Sequence, residues 1–186
     1  VGGRGWGRVL YGSESLSHYA TGGEWVAGRD GGGIFIIEEL LPRKSRFSRK
    51  SAGSVAEEQV VAANIEHLCI VCGLDGGRNF NLRGLERYLS MARDGGASPV
   101  VVLNKCDLCA SREESLELAR RVAGDAPVHM VSALTGEGVD SLAAGFERGS
   151  TIAFTGPSGV GKSALVNSLL GATPRRTGPQ RAAARR

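Results

Sequence analysis

No apolar run in this chain of 186 residues approaches the ~20 residues that a membrane-spanning helix needs, so no membrane span is expected. The N-terminus lacks the basic-then-apolar signature of a signal peptide, which leaves nothing to argue for export and makes the cytoplasm the expected location. The chain opens on Val1 rather than Met, and its natural beginning is expected to lie upstream. Aromatics are few, at 5%, beside 41% hydrophobic and 23% charged residues; this is the composition of a soluble globular protein of one or two domains. Histidine is scarcer still. His18, His67 and His129 show no metal-ligand spacing and read as structural.

Acidic excess is also missing. The net charge is +4, and it is unevenly spread. Residues 1–54 hold eight basic and five acidic side chains, residues 172–186 hold five Arg and no acid, and residues 55–171 are left with −4. A mildly acidic body with basic ends suggests a polyanionic partner touched at the periphery. The four cysteines form two CxxC pairs, Cys69/Cys72 and Cys106/Cys109, a spacing that often builds a zinc site. Here Cys69 and Cys72 lie in "HLCIVCGL", which reads as a buried strand, and residues three apart on a strand face opposite ways. Reduced thiols are the expectation.

From residue 67 onward apolar strands alternate with amphipathic helices. The strands are 67–74, 99–105 ("PVVVLNK"), 126–133 ("APVHMVSA") and 150–156 ("STIAFTG"). The first helix carries Leu82, Leu85, Leu89 and Ala92 on one face, with Asn81 as N-cap and Gly95 as stop. Ser111 followed by Glu114 predicts a capping box on the second. Val139, Leu142, Ala143 and Phe146 mark the third, and Lys162 to Leu170 the fourth. Such alternation predicts an α/β fold whose mostly parallel sheet is covered by helices on both faces. Ligands in these folds bind beyond the carboxyl ends of the strands. The first fifty residues differ: "GRVLYG", "GEWVAG" and "GIFIIEELLP" are short strands between Gly-rich turns, a partial OB-like barrel. The expected division is therefore 1–50, 51–171 and a basic low-complexity tail at 172–186, with "PRKSRFSRKSAGS" (42–54) joining the first two regions.

"TGPSGVGKSALVNSLLG" (155–171) has the spacing of a phosphate-binding P-loop, Gly156 then Gly161-Lys162-Ser163. Amides from Ser158 through Gly159, Val160, Gly161, Lys162 and Ser163 to Ala164 can turn toward phosphate oxygens, and the following helix adds its positive end. Lys162 is placed to reach the β- and γ-phosphates, and the Ser163 hydroxyl to ligate Mg²⁺. "NKCD" (104–107) bears on the base. The Asp107 carboxylate can accept from guanine N1–H and its 2-amino group, donors that adenine lacks. Asn104 can brace the loop, and the Lys105 stem can lie over the ring. "SAL" (132–134), Ser132-Ala133-Leu134, ends the next strand, where the Ala133 amide is placed for guanine O6.

The order NKCD, SALTGEG, GPSGVGKS resembles that of the circularly permuted GTPases. "LPRKSRFSRKSAG", "EEQVVAANIEHL", "GLDGGRNFNLRGLERYL" and "VVLNKCDLC" resemble the bacterial ribosome small-subunit-dependent GTPase family over about residues 8–171. The resemblance implies GTP/GDP and Mg²⁺ as ligands and GTP hydrolysis in late 30S subunit maturation. It also implies a DxPG motif and a zinc-binding domain, for which this sequence holds no residues. The chain therefore reads as a fragment with no assignable catalytic residue, and a GTP- or RNA-binding remnant without turnover is the alternative. Arg43, Lys44, Arg46, Arg49 and Lys50 surround Phe47 and are expected to meet the phosphate backbone of 16S rRNA, with Phe47 stacking. No membrane partner is expected, and the protein is expected to be monomeric.

Overall fold

The computed structural model describes residues 4–5, 21–50, 58–76 and 79–171, which fall into two units. The strand expected at "GRVLYG", His18, the end of the 42–54 joining segment and the tail 172–186 lie outside the described residues.

The first unit comprises the described residues up to His67, with Ser90–Ser98 and Thr151–Ala153. Strands β1 (Arg4–Gly5), β2 (Val26–Asp30) and β3 (Phe35–Leu40) form a sheet in the order β1-β3-β2. β2 and β3 are antiparallel. Asp30 shapes the turn between them, its Oδ1 accepting the Gly32 amide at 3.0 Å. The segment read as a joining stretch is itself a strand, β4 (Arg46–Lys50), paired antiparallel with β5 (Glu58–Ala63). The reason is burial: Phe47, Val60 and Ala63 go into the core while Arg46 and Arg49 face outward. β4 and β5 therefore pack within the first unit, which takes in His67.

Asn64, in the left-handed conformation at φ 51°, ties this unit together. Its Oδ1 accepts the Lys44 amide at 2.8 Å and its Nδ2 donates to the Gly23 carbonyl at 2.9 Å. Beside it the Arg43 guanidinium donates to Glu24 Oε1 at 2.8 Å, with the Glu24 side chain only 3% exposed. Removing the cation would strand a desolvated carboxylate. Arg43→Ala is expected to cost about 3 kcal/mol in urea unfolding monitored at Trp25; a loss under 1 kcal/mol would mean that the pair adds nothing.

The second unit is built on a parallel sheet of β6 (His67–Gly73), β7 (Ser98–Asn104), β8 (Val128–Met130) and β9 (Ile152–Thr155), in the order β8-β7-β6-β9. Leu68 through Cys72 are all buried, as a central strand covered on both faces requires, whereas β9 is half-buried throughout. Helices α1 (Leu82–Asp94), α2 (Arg112–Ala123), α3 (Val139–Ala144) and α4 (Lys162–Leu169) supply Leu85, Leu89, Ala119, Ala123, Leu142 and Leu165 to the core. Asn81 caps α1, its Oδ1 accepting the Arg83 amide at 3.1 Å. Ser111 precedes α2 as expected, but its side chain makes no cap hydrogen bond, so the capping box does not form. Ala143 is exposed, and Phe146 lies beyond the end of α3.

Burial pushes the Cys69 thiol up to about 12 and Cys72 to about 11, which leaves both protonated and inert at neutral pH. Burial also lowers His129 on β8 below its ordinary 6.5. The unfolded chain then binds the proton more readily, so stability is full above about 6.5 and falls as the pH drops from there toward the lowered value. Urea midpoints between pH 7.5 and 5 are expected to decline, and His129→Gln is expected to flatten that slope; an unaltered slope would remove His129 as its source.

Candidate functional site

The parallel register Val101↔Val128, Val102↔His129, Leu103↔Met130 brings the carboxyl ends of β7 and β8 side by side. The ladder continues past the strands: Val131 donates its amide to Leu103 at 2.9 Å, and Cys106 to Val131 at 3.1 Å. Two sequence motifs 28 residues apart, beginning at Asn104 and Ser132, therefore form one wall. On the other side of β6 lies β9, whose continuation is the P-loop.

Asn104 joins the three loops. Only 1% exposed, it accepts the Ala133 amide on Oδ1 at 3.0 Å and donates from Nδ2 to the Val160 carbonyl at 2.8 Å. These two bonds tie the loop after β7 to the loop after β8 and to the P-loop. The Ala133 amide, expected to be available to a purine oxygen, is instead taken by Asn104. Ser132 is wholly buried and works on the loop itself, its hydroxyl accepting the Thr135 amide at 3.2 Å. Arg112 on α2 holds the same loop from outside through Glu137 at 2.7 Å. Burial and the neighbouring Glu137 keep the Cys106 thiol raised.

Asp107 sits in a 3-10 turn, Cys106–Leu108, entered through Lys105 in the left-handed conformation. Its Oδ1 is buried and has no hydrogen-bond partner among the described residues. An orphaned carboxylate oxygen is costly, on the order of 1–3 kcal/mol or more, and such a group in a native site calls for a donor from outside.

The P-loop is shaped by close approach. Gly156 has φ 135°, and a Cβ there would run into the Val71 carbonyl of β6; Gly161 has φ 92°, and a Cβ would run into Asn104 Nδ2. The Val160 side chain is fully buried and anchors the loop, while Ser158 and Gly159 are exposed. Among the described residues, none accepts a hydrogen bond from the amides of Ser158, Gly159, Val160 or Gly161. Lys162 Nζ donates to the Gly156 and Pro157 carbonyls at 2.9 and 2.7 Å, and burial holds its ammonium below the ordinary 10.5. Ser163 and Ala164 are exposed on the first turn of α4. The described residues contain no cluster of three or more His, Cys, Asp or Glu that could hold a metal ion. A cation held at Ser163 would take most of its ligands from phosphate and water, which suits Mg²⁺.

The expected RNA-contacting residues separate into three groups. Lys44, Arg46 and Arg49 are exposed, and the Lys50 side chain lies outside the described residues. Arg43 is engaged by Glu24. Phe47 is 7% exposed and cannot stack on a base, because its strand turns it into the core. Sequence reasoning missed Asp75, which follows β6 and bonds the Lys105 ammonium; "GLDGG" offered only an acidic residue at a strand end as signal.

Comparison with known proteins agrees with this geometry. A family profile described as RsgA GTPase matches residues 40–186. The protein of Opitutus terrae named small ribosomal subunit biogenesis GTPase RsgA is 40% identical over 183 residues, covering 93% of this chain and 49% of its own length. The protein of that name from Methanosarcina acetivorans is 43% identical over 145 residues, covering 78% of this chain and 39% of the relative. The chain thus spans about half the length, or less, of these relatives. Among solved structures, YjeQ from Thermotoga maritima superimposes with a TM-score of 0.66 at 25% identity, over 93% of this chain and 58% of that one. YloQ, a circularly permuted GTPase, shares the fold with a TM-score of 0.54 at 18% identity, over 78% of this chain and 48% of that one. With the permuted order of its loops, the sheet that carries them and a profile match over most of its length, the chain belongs to the RsgA GTPase family.

Proposed function

We propose that this chain binds a guanine nucleotide, and that within the longer protein its relatives represent it hydrolyses GTP to GDP and phosphate during maturation of the 30S ribosomal subunit. The observation that carries the reading is the buried, partnerless Asp107 Oδ1 at the end of β7. Guanine offers N1–H and the 2-amino group to such an acceptor; adenine would leave it unpaired, a difference worth ~10⁴-fold in a site built around the bond.

Binding is an exchange of partners. Lys162 leaves the Gly156 and Pro157 carbonyls for phosphate oxygens, and the amides from Ser158 to Ala164 supply further donors around them. The Ala133 amide reaches a purine oxygen only by leaving Asn104 Oδ1, a swap of one hydrogen bond for another. Ser163 would hold Mg²⁺ through its hydroxyl, and the ion would supply neutralisation of phosphate charge. No residue of this chain is assigned to zinc or to activation of the attacking water. The exposed Lys44, Arg46 and Arg49 suit the phosphate backbone of 16S rRNA. Among the described residues no helix is long and apolar enough to cross a membrane. The proposal places the protein in the cytoplasm, acting on ribosomes as a monomer.

Titration of the purified chain with fluorescent GDP and ADP tests the nucleotide reading: strong GDP preference supports it, and equal affinities overturn it. Phosphate release from GTP with and without 30S subunits tests turnover. Each of Lys44→Ala, Arg46→Ala and Arg49→Ala is expected to reduce the salt slope of rRNA binding by about one.

A further inference from the structure

The Lys105 ammonium is not left to solvent. Lys105 Nζ donates to Asp75 Oδ2 at 2.5 Å, and the other Asp75 oxygen lies 3.4 Å from Asn79 Nδ2. Both side chains of the ion pair are about three-quarters buried, at 25% and 22% exposure. The pair joins the loop after β6 to the loop after β7, where the Leu74 amide also bonds the Asn104 carbonyl at 2.9 Å. Lys105 itself is in the left-handed conformation, φ 65° and ψ 37°, which a residue with a Cβ adopts only at a cost of about 1 kcal/mol. Its backbone and its charged end are thus both held, with the methylene stem running between them. Lys105 lies two residues before Asp107, whose Oδ1 has no partner among the described residues.

We propose that Asp75 is a positioning residue for the base: its carboxylate pins the Lys105 ammonium so that the Lys105 stem covers the face of the purine whose edge Asp107 receives. The inference rests on the guanine-nucleotide reading above. Ring coverage is an apolar contact and reads no donor or acceptor, so Asp75 acts on affinity and leaves base choice to Asp107. Asp75 is held ionised by the same contact, with the Lys105 hydrogen bond the leading cause of its lowered pKa.

The test is a double-mutant cycle read by fluorescent-GDP titration. Asp75→Ala is expected to weaken GDP about tenfold, with the ratio of GDP to ADP affinity kept and Asp75→Glu restoring most of the loss. In a Lys105→Met background, where an uncharged stem of similar bulk replaces lysine, Asp75→Ala is expected to have no further effect. If the two losses add, Asp75 acts other than through Lys105 and the inference is overturned. If the GDP/ADP ratio collapses in Asp75→Ala, Asp75 reads the base and the inference is likewise overturned. Wild-type protein without GDP preference would fail the guanine reading first and take this inference with it, an outcome distinct from additive losses around a selective wild type. Equal urea midpoints for the variants separate a binding loss from unfolding.

Discussion

Asp107→Asn is expected to lose the preference for GDP and to gain one for xanthosine diphosphate, while the protein itself becomes no less stable. The two effects are expected to have opposite signs if the carboxylate serves the proposed guanine ligand rather than the fold. In the free chain Asp107 Oδ1 is buried without a partner among the described residues, so neutralising the side chain removes a desolvated charge and is expected to raise stability by about 1 kcal/mol. In the complex, a carboxamide presents one acceptor and one donor. Guanine supplies two donors and meets a mismatch; xanthine supplies an N1–H donor and a 2-oxo acceptor and meets a match. The expected loss of guanine selectivity is ~10³- to 10⁴-fold, read by competitive titration of GDP against ADP and the xanthine nucleotide. Guanine selectivity equal to wild type would remove Asp107 from the base site.

Asn104→Ala is expected to damage fold and binding together. The substitution strands two buried groups at once, the Val160 carbonyl and the Ala133 amide. At about 1–3 kcal/mol for each orphan, the loss of stability in urea should fall near 2–5 kcal/mol. The P-loop would lose its side-chain tether to β7 through Asn104, and GDP affinity should fall even though Asn104 need not touch the nucleotide. Asn104→Asp is a sharper probe. It keeps the acceptor for Ala133 but turns a carboxylate oxygen toward the Val160 carbonyl, so it should be at least as harmful as alanine. Wild-type affinity and stability in both variants would mean that the three loops hold their places without Asn104.

Much of the site was legible because its residues are constrained by local chemistry. Gly156 and Gly161 stand where the backbone takes positive φ and passes against a carbonyl or an amide, and only glycine meets both demands. The strand that ends at Asn104 reads as an apolar run because β7 lies inside the sheet and is buried on both faces, whereas β8 and β9, at the ends of the described sheet, are half-buried. Errors arose where identity was settled by distant pairing. Phe47 lay among cations and read as a stacking residue; pairing of β4 with β5 turned it into the core. Ser111 and Glu114 had the spacing of a capping box, yet the Ser111 side chain makes no cap bond. Ala133 and Asp75 found their partners, Asn104 and Lys105, 29 and 30 residues away, a separation no local pattern records.

The sequence by itself determined which loop has the spacing of a phosphate-binding P-loop, which carboxylate is the candidate for the purine and in what permuted order the motifs occur, because each depends on residue type at fixed short spacing. Only the tertiary structure decided that a single buried amide locks the three loops together, that the P-loop lysine rests on its own loop's carbonyls, and that Asp107 Oδ1 finds no partner among the described residues. Those are facts of who meets whom across strands, and hydrogen-bond partnership between remote segments is set by register and packing rather than by composition.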